Sequence, residues 1–146
     1  MATKTTIDLK KWLKLDATGR AKRFVPYKEN FVTTIFDGEA IYLKAKTVGQ
    51  YLYYEKNGFE AIEGEPTADD NNIIINVPAT ITITNNTEKV MNFIPYRENF
   101  QVEVKAGDSY EFEADTAGQV LYYMSQDTTG PDVDGGLDVT QVAVKA

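Results

Sequence analysis

The chain lacks both histidine and cysteine, which narrows the chemistry that it can perform. Histidine is the commonest general base and metal ligand, and the Ser/His/Asp and Cys/His nucleophile systems both require it. Zinc sites of the usual kinds are excluded for the same reason. Carboxylates, lysine, tyrosine, threonine and serine remain, but no carboxylate pair stands out as an acid/base couple. We therefore predict a protein that is not an enzyme and that uses neither a cofactor nor a metal.

One acidic segment, DVDGGLD at 132–138, resembles a fragment of a calcium-binding loop because its carboxylates alternate with glycine. A complete EF-hand loop carries more ligands and ends in a bidentate glutamate, which is missing from this segment. We therefore interpret the segment as an acidic surface loop.

Basic side chains cluster near the start of the chain. Such a patch could hold nucleic acid or any acidic surface. The net charge of −7 is uneven, with +3 on residues 1–63 and −10 on residues 64–146, and the acidic part would repel phosphate. We expect an acidic protein partner to dock on the patch, and ordinary solvated lysines are the alternative. The candidate docking residues are Lys10, Lys11, Lys14, Arg20, Lys22 and Arg23.

An octapeptide occurs twice, as FVPYKENF at 24–31 and as FIPYRENF at 93–100. At an offset of 69 the alignment runs without a gap from 24–54 to 93–123, with 14 identical residues. Self-similarity over this length indicates a duplicated unit rather than an isolated motif. We predict two tandem domains from an internal duplication, at 1–63 and 73–146, joined by a polar linker at 64–72.

Within the octapeptide, proline cannot donate a ladder hydrogen bond, and asparagine tolerates left-handed backbone. We expect a chain reversal or corner between two strands, with the flanking phenylalanines in the core. A binding site used in both copies is the alternative. The corner residues are Pro26, Tyr27, Lys28, Glu29 and Asn30 in the first copy and Pro95, Tyr96, Arg97, Glu98 and Asn99 in the second.

Alternation of apolar and polar residues indicates strands rather than helices. FQVEV (100–104) and YEFEA (110–114) alternate on either side of a KAGD turn, which predicts a hairpin, and FVTTI (31–35) and IYLKA (41–45) repeat the arrangement. WLKLDATGRAKRF is expected to form strand, turn and strand. QYLYY and QVLYY, which each follow a glycine, are predicted to be further strands.

Each copy thus offers about six short strands separated by turn signals, a spacing typical of small sandwiches and barrels. The predicted fold class is all-β, with two small β-sandwich domains that are immunoglobulin-like or partly open barrels. NIIINV (72–77) is expected to open the second copy and to be paired in a sheet, because an exposed apolar strand invites aggregation.

The pattern NFxVxVxAGDxYEFEAxTAGxVLYY, at 99–123, resembles small tandem β-domain accessory proteins of tailed bacteriophage virions, such as head decoration proteins. The resemblance implies a structural protein on the virion surface, made in the host cytoplasm, whose partner is a viral capsid or other virion protein. A homo-oligomer is compatible with it. The first copy would dock through its basic strands, and the second would project its acidic surface outward.

No apolar run approaches the roughly 20 residues needed to cross a bilayer, and MATKTTIDLKKWLKL has no signal-peptide apolar region. We therefore expect no membrane association. Two alternatives stay open. One is a carbohydrate- or cell-surface-binding module that uses the repeated tyrosines, and the other is a tail or fibre component that serves as a spacer.

Overall fold

The computed structural model describes residues 6–129 and 135–143. The chain divides into two compact units, Met1–Ile75 and Asn76–Ala146. The first unit contains β1 (Leu13–Asp16), β2 (Lys22–Phe24), β3 (Thr33–Ile35), β4 (Ala40–Leu43), α1 (Val48–Lys56), β5 (Glu60–Ala61) and β6 (Asn72–Ile74). The second contains β7 (Ala79–Asn85), β8 (Met91–Phe93), β9 (Val102–Val104), β10 (Ser109–Ala114), α2 (Ala117–Met124) and β11 (Leu137–Ala143).

The main sheet of the first unit has the strand order β5-β1-β4-β6. β1 is antiparallel to β4, with Leu13 opposite Leu43, and both side chains are fully buried. β6 joins the other edge of β4 in parallel, with Ile73 opposite Ile41. β2 and β3 form a separate antiparallel pair.

The face of the main sheet opposite to Leu13 and Leu43 carries a small apolar cluster. It consists of Trp12, Ala40 and Tyr42, against which Ile62 and Ile74 pack. The ammonium group of Lys44 lies 4.7 Å from the centroid of the Trp12 ring, which is 6% exposed. This face of the first sheet therefore combines an apolar cluster with polar side chains such as Lys14, which lies opposite Tyr42.

The main sheet of the second unit has the order β10-β7-β11, and β8 pairs with β9 beside it. Along β7, Ala79, Ile81 and Ile83 are buried, and the threonines between them are half-buried. This alternation places apolar side chains on one face and polar side chains on the other. The second sheet therefore has one apolar and one hydrophilic face.

The expectation of a mostly β chain is confirmed, but the prediction of strands at QYLYY and QVLYY is wrong. Both segments lie in helices that begin after a threonine. The Oγ1 of Thr47 accepts a hydrogen bond from the backbone N–H of Gln50 at 3.2 Å, and Thr116 with Gln119 forms a complete capping box. These contacts satisfy backbone donors at the start of each helix and favour it over an extended chain.

The predicted hairpins are also wrong in their pairing. The KAGD turn is present, with the N–H of Asp108 donating to the carbonyl of Lys105 at 2.9 Å. However, β9 pairs with β8 and β10 with β7, and in the first unit β3 and β4 likewise pair with different strands. The chain therefore passes from one sheet to another at each of these turns. Phe100, which was expected in the core, is 52% exposed.

The WLKLDATGRAKRF segment forms the two strands β1 and β2 as expected, although they lie in different sheets. Asn72–Ile74 is paired in a sheet, and that sheet is the one of the first unit. The boundary between the compact units falls between Ile75 and Asn76, whereas the sequence suggested that the second copy begins at residue 73.

Candidate functional site

The octapeptide connects β2 to β3 in the first unit and β8 to β9 in the second, so that both copies reverse the chain. The N–H of Glu29 donates to the carbonyl of Pro26 at 2.9 Å, and the N–H of Glu98 donates to that of Pro95 at 3.0 Å. These bonds close equivalent four-residue turns. Phe24 and Phe93, the first residues of the two octapeptides, are both 4% exposed.

Two consecutive tyrosines on each helix hold this turn by its backbone. The hydroxyl of Tyr53 donates to the carbonyl of Val25 at 2.6 Å, and the N–H of Tyr27 donates to the hydroxyl of Tyr54 at 3.0 Å. Pro26 lies between these two bonded groups. Since proline has no N–H to donate, the tyrosine hydroxyls bond the carbonyl and the N–H on either side of it.

The second unit repeats both contacts. The hydroxyl of Tyr122 donates to the carbonyl of Ile94 at 2.7 Å, and the N–H of Tyr96 donates to the hydroxyl of Tyr123 at 2.9 Å. We call the four hydroxyls of Tyr53, Tyr54, Tyr122 and Tyr123 the tyrosine clamps. The sequence placed these residues in strands and therefore missed this function, although their recurrence at the 69-residue offset was the signal that could have found it.

Burial changes the chemistry of the clamp. Loss of solvation is the main cause that raises the pKa of Tyr54 to about 12, and the N–H of Tyr27 opposes this effect. Burial also raises the pKa of Tyr122. The hydroxyls of Tyr54 and Tyr122 therefore stay protonated over the neutral range, which Tyr122 requires in order to donate.

Lys28 and Arg97 occupy the third position of the two turns with a φ of 61° each. A positive φ at this position alone is the pattern of a type II turn, in which glycine or asparagine is preferred. The ammonium group of Lys28 lies 5.6 Å from the ring centroid of Tyr27, and the guanidinium of Arg97 lies 5.2 Å from that of Tyr96. Both copies thus place a long cation over a tyrosine ring at a position that disfavours side chains.

The polar corner residues lie at or near the surface of these turns, whereas Pro26 is buried. Asn30, Glu98 and Asn99 are exposed, and Glu29 is half-buried.

Three of the six candidate docking residues come together. Arg20, Lys22 and Arg23 line a surface depression of about 570 Å³, which we call the basic depression. Leu15, Ala21, Asn57 and Gly58 complete its lining, so no described lining residue is acidic. Asn57 and Gly58, which end α1, were not expected at this site from the sequence. An anionic group could approach this surface without meeting a carboxylate of the lining.

The structure places the other three candidates elsewhere. Lys10 and Lys11 line a smaller cleft of about 270 Å³ that also includes Asp8, Glu63 and Glu65. The ammonium group of Lys11 lies 2.7 Å from the Oε1 of Glu63, and this hydrogen bond is the main cause that raises the pKa of Lys11.

Lys14 points to another carboxylate, since its Nζ lies 3.8 Å from the Oδ2 of Asp16. The hydroxyl of Thr18, which donates to Asp16 at 2.6 Å, is the main cause that lowers the pKa of that carboxyl group. Coulombic attraction to Lys14 and Lys22 contributes less.

Within the two described ranges, no group of three or more carboxylates is arranged to hold a metal ion. Residues 132–134 of the DVDGGLD segment lie outside the described residues. Among the helices that the structure describes, none is long and apolar enough to span a membrane.

Comparisons with known proteins give no relative from which a family or function could be transferred. No protein-family model, curated protein or solved structure matches the chain significantly. The geometry described above is therefore the basis for any functional proposal.

Proposed function

We propose that this chain is a non-enzymatic structural protein of a phage virion, a capsid decoration or auxiliary protein. It docks on the shell through its first unit and projects its second. In this proposal the two units are homologous small β-sandwich domains from an internal duplication. The matching octapeptide turns, tyrosine clamps and capped helices support that origin, because each recurs at the 69-residue offset.

The observation that carries the docking proposal is the basic depression. Its three cations lie together on exposed side chains, whereas the ammonium groups of Lys11 and Lys14 lie 2.7 and 3.8 Å from carboxylate oxygens. Electrostatic complementarity to an acidic surface would raise the association rate and select the partner. We therefore assign docking to Arg20, Lys22 and Arg23 in preference to the full set of six.

The alternative of a carbohydrate-binding module is less well supported. It depended on repeated tyrosines that could form an aromatic platform, but the four clamp hydroxyls bond backbone groups of the octapeptide turns. A tail or fibre spacer would use the same two units but would have no need of the basic depression.

The test has two stages. Capsid and portal genes beside the gene for this protein are the expected genomic setting. Shells assembled from that capsid protein should then cosediment with the wild-type chain, and a triple variant with Arg20→Glu, Lys22→Glu and Arg23→Glu should remain in the supernatant.

A matched control makes the same change in charge outside the depression. Lys46, Lys56 and Lys89 are exposed, and a triple Lys→Glu variant at these positions should cosediment like the wild type. Equal loss of binding in both triple variants would show that net charge, and not the basic depression, determines binding. Unchanged binding by the depression variant would contradict the docking surface.

A further inference from the structure

The outer edge of β10 in the second unit has no partner strand among the described residues. β10 pairs only with β7, on its other side. The N–H of Asn85 donates to the carbonyl of Asp108, just before β10, and this bond shows which residues of β10 are hydrogen-bonded to β7. In an antiparallel pair alternate residues bond to the neighbouring strand. The backbone groups of Tyr110, Phe112 and Ala114 therefore face β7, and those of Ser109, Glu111 and Glu113 face outward.

The equivalent edge in the first unit is occupied. There β6 pairs in parallel with β4, with Ala40 opposite Asn72 and Tyr42 opposite Ile74. The N–H of Ala40 donates to the carbonyl of Asn71 at 3.0 Å, and the N–H of Ile75 donates to the carbonyl of Tyr42 at 2.9 Å. At the 69-residue offset, Ala40 and Tyr42 correspond to Ser109 and Glu111. The first unit thus shows that a parallel strand can pair with this edge of the sheet.

The other edge of the second sheet is protected, which makes the open edge of β10 distinctive. The N–H of Leu137 in β11 donates to the Oγ1 of Thr128 at 2.7 Å, and the N–H of Val139 donates to the Oδ2 of Asp127 at 3.0 Å. Natural sheets normally cover or block exposed edges because free backbone groups recruit other strands. β10 contains no proline, and Tyr110 is 44% exposed.

We propose that the outer edge of β10 binds an extended segment of a partner protein as an added parallel strand, with basic side chains at alternate positions. This is β-augmentation, in which main-chain bonds supply affinity and alternate side chains supply specificity. The proposal concerns the second unit and does not depend on the virion role proposed above.

The side chains along the edge define the partner's pattern. In the first unit Ile74 packs beside the apolar Tyr42 cluster. In the second unit that face of the strand carries Glu111 and Glu113, both exposed, and the neighbouring positions would suit lysine or arginine. The positions beside Tyr110 and Phe112 would suit apolar residues.

A second copy of the chain fits this edge less well. Self-pairing would bring Glu111 and Glu113 of two β10 strands near one another, and like charges close together in a ladder are destabilising. The segment that occupies the equivalent edge in the first unit is preceded by Asp69 and Asp70, which would also meet an acidic edge. A basic partner strand avoids both conflicts.

The probe is the peptide acetyl-TIKIKT-amide, titrated into the full chain and followed by the backbone amide signals in NMR spectra. Binding should shift the amides of Ser109, Glu111 and Glu113 and slow their hydrogen exchange. Acetyl-TIEIET-amide should bind at least tenfold more weakly. Acetyl-TIKPKT-amide, which lacks the N–H that would donate to the carbonyl of Glu111, should lose binding to a similar extent.

Two protein variants complete the test. Glu111→Pro removes an outward N–H, which an edge strand tolerates, and should weaken binding of acetyl-TIKIKT-amide at least tenfold. Glu111→Gln keeps the N–H and should weaken it by a smaller factor. Binding unaffected by proline in the peptide would overturn the proposal, and this outcome does not depend on how the variants fold. No binding to the wild-type chain, or shifts confined to β11 or the basic depression, would overturn it too.

Discussion

The tyrosine clamps show how single hydroxyl groups can define a turn. In each unit the two clamp hydroxyls bond the backbone groups on either side of a proline. The rings of Tyr53 and Tyr122 also pack edge-on against the tyrosine of the turn, with ring centroids 5.5 Å apart in both units. An intramolecular hydrogen bond contributes about 0.5–1.5 kcal/mol net, and more is lost when a buried partner is left unsatisfied. The clamps are therefore expected to contribute measurably to stability.

Replacing a donating hydroxyl tests this directly. Tyr53→Phe and Tyr122→Phe each remove the bond to the carbonyl before the proline. Each should lower the free energy of unfolding by about 0.5–1.5 kcal/mol in urea titrations followed by circular dichroism. Tyr110→Phe, at an exposed position, is the matched control and should change it by less than about 0.5 kcal/mol. Equal effects at all three positions would contradict a specific role for the clamps.

The pKa of Tyr54 predicts a loss of stability in alkaline solution. Its value is about 12 in the folded chain against an ordinary 10.0. Between these values the unfolded chain has released the proton and the folded chain has kept it, so stability falls as the pH rises. The expected loss between about pH 10 and 12 is on the order of 2–3 kcal/mol.

Urea titrations from pH 8 to 12 would measure this loss. The profile of Tyr54→Phe should be flatter than that of the wild type, and Tyr110→Phe should keep the wild-type profile. Identical slopes for the wild type and Tyr54→Phe would contradict the assignment to Tyr54.

The positive φ of Lys28 and Arg97 predicts an unusual order of stability for two small replacements. Glycine adopts this conformation without the steric penalty that alanine pays, and both replacements remove the same side-chain contacts. Lys28→Gly and Arg97→Gly should therefore be more stable than Lys28→Ala and Arg97→Ala by about 1 kcal/mol. At the exposed helical residue Glu55 the order should reverse, since alanine is the better helix former. Thermal unfolding of the six variants would check both orders.

The two helices show which local signals compete in these sequences. Tyrosine favours strands, and a segment of eight or nine residues gives little helical periodicity. Thr-x-x-Gln, found at the start of both helices, is a capping-box sequence, and this local signal could have predicted them. The alternating strands were predictable because a period-2 pattern is typical of a strand with one apolar face. Their pairing was not, because the exchange of partners at the turns depends on contacts distant in sequence.

The threonine caps of the two helices are expected to contribute similarly to stability, although their contacts differ. Thr116→Ala removes a complete capping box, whereas at Thr47 the side chain of Gln50 accepts from the backbone N–H of Lys46. Both alanine variants should be destabilised by about 1 kcal/mol in chemical denaturation. Serine at the same positions keeps an oxygen acceptor and should retain most of the stability. A serine variant as unstable as the alanine variant would indicate that the methyl group of threonine matters instead.

The division into two units determines where the chain can be cut. A fragment of residues 1–75 keeps β6, whereas a fragment of residues 1–63 loses it together with Ile75, which is 1% exposed. Burial of one large aliphatic side chain contributes about 1.5–3 kcal/mol. Fragment 1–75 should therefore unfold cooperatively and be more stable than fragment 1–63 by at least about 1.5 kcal/mol in urea. Equal stability of the two fragments would show that β6 is dispensable.

The octapeptide, the basic residues and the polar segment before β6 could all be located from the sequence, because they depend on local residue types. The grouping of Arg20, Lys22 and Arg23 with Asn57 could not, since the end of α1 is brought there only by the folded chain. The open edge of β10 also escapes sequence reasoning. It becomes visible only when the two sheets are compared and one equivalent edge is found to be occupied.

Trp12, the single tryptophan of the chain, belongs to the apolar cluster of the first unit. Its indole is buried beneath the ammonium group of Lys44, and exposure to water would shift its fluorescence emission to longer wavelength. Tryptophan fluorescence therefore reports on the unfolding of the first unit alone, whereas tyrosine fluorescence reports on both units, because each contains tyrosines. Both signals can be recorded from one unlabelled sample of the whole chain. Comparing them shows whether the two units unfold together or one after the other.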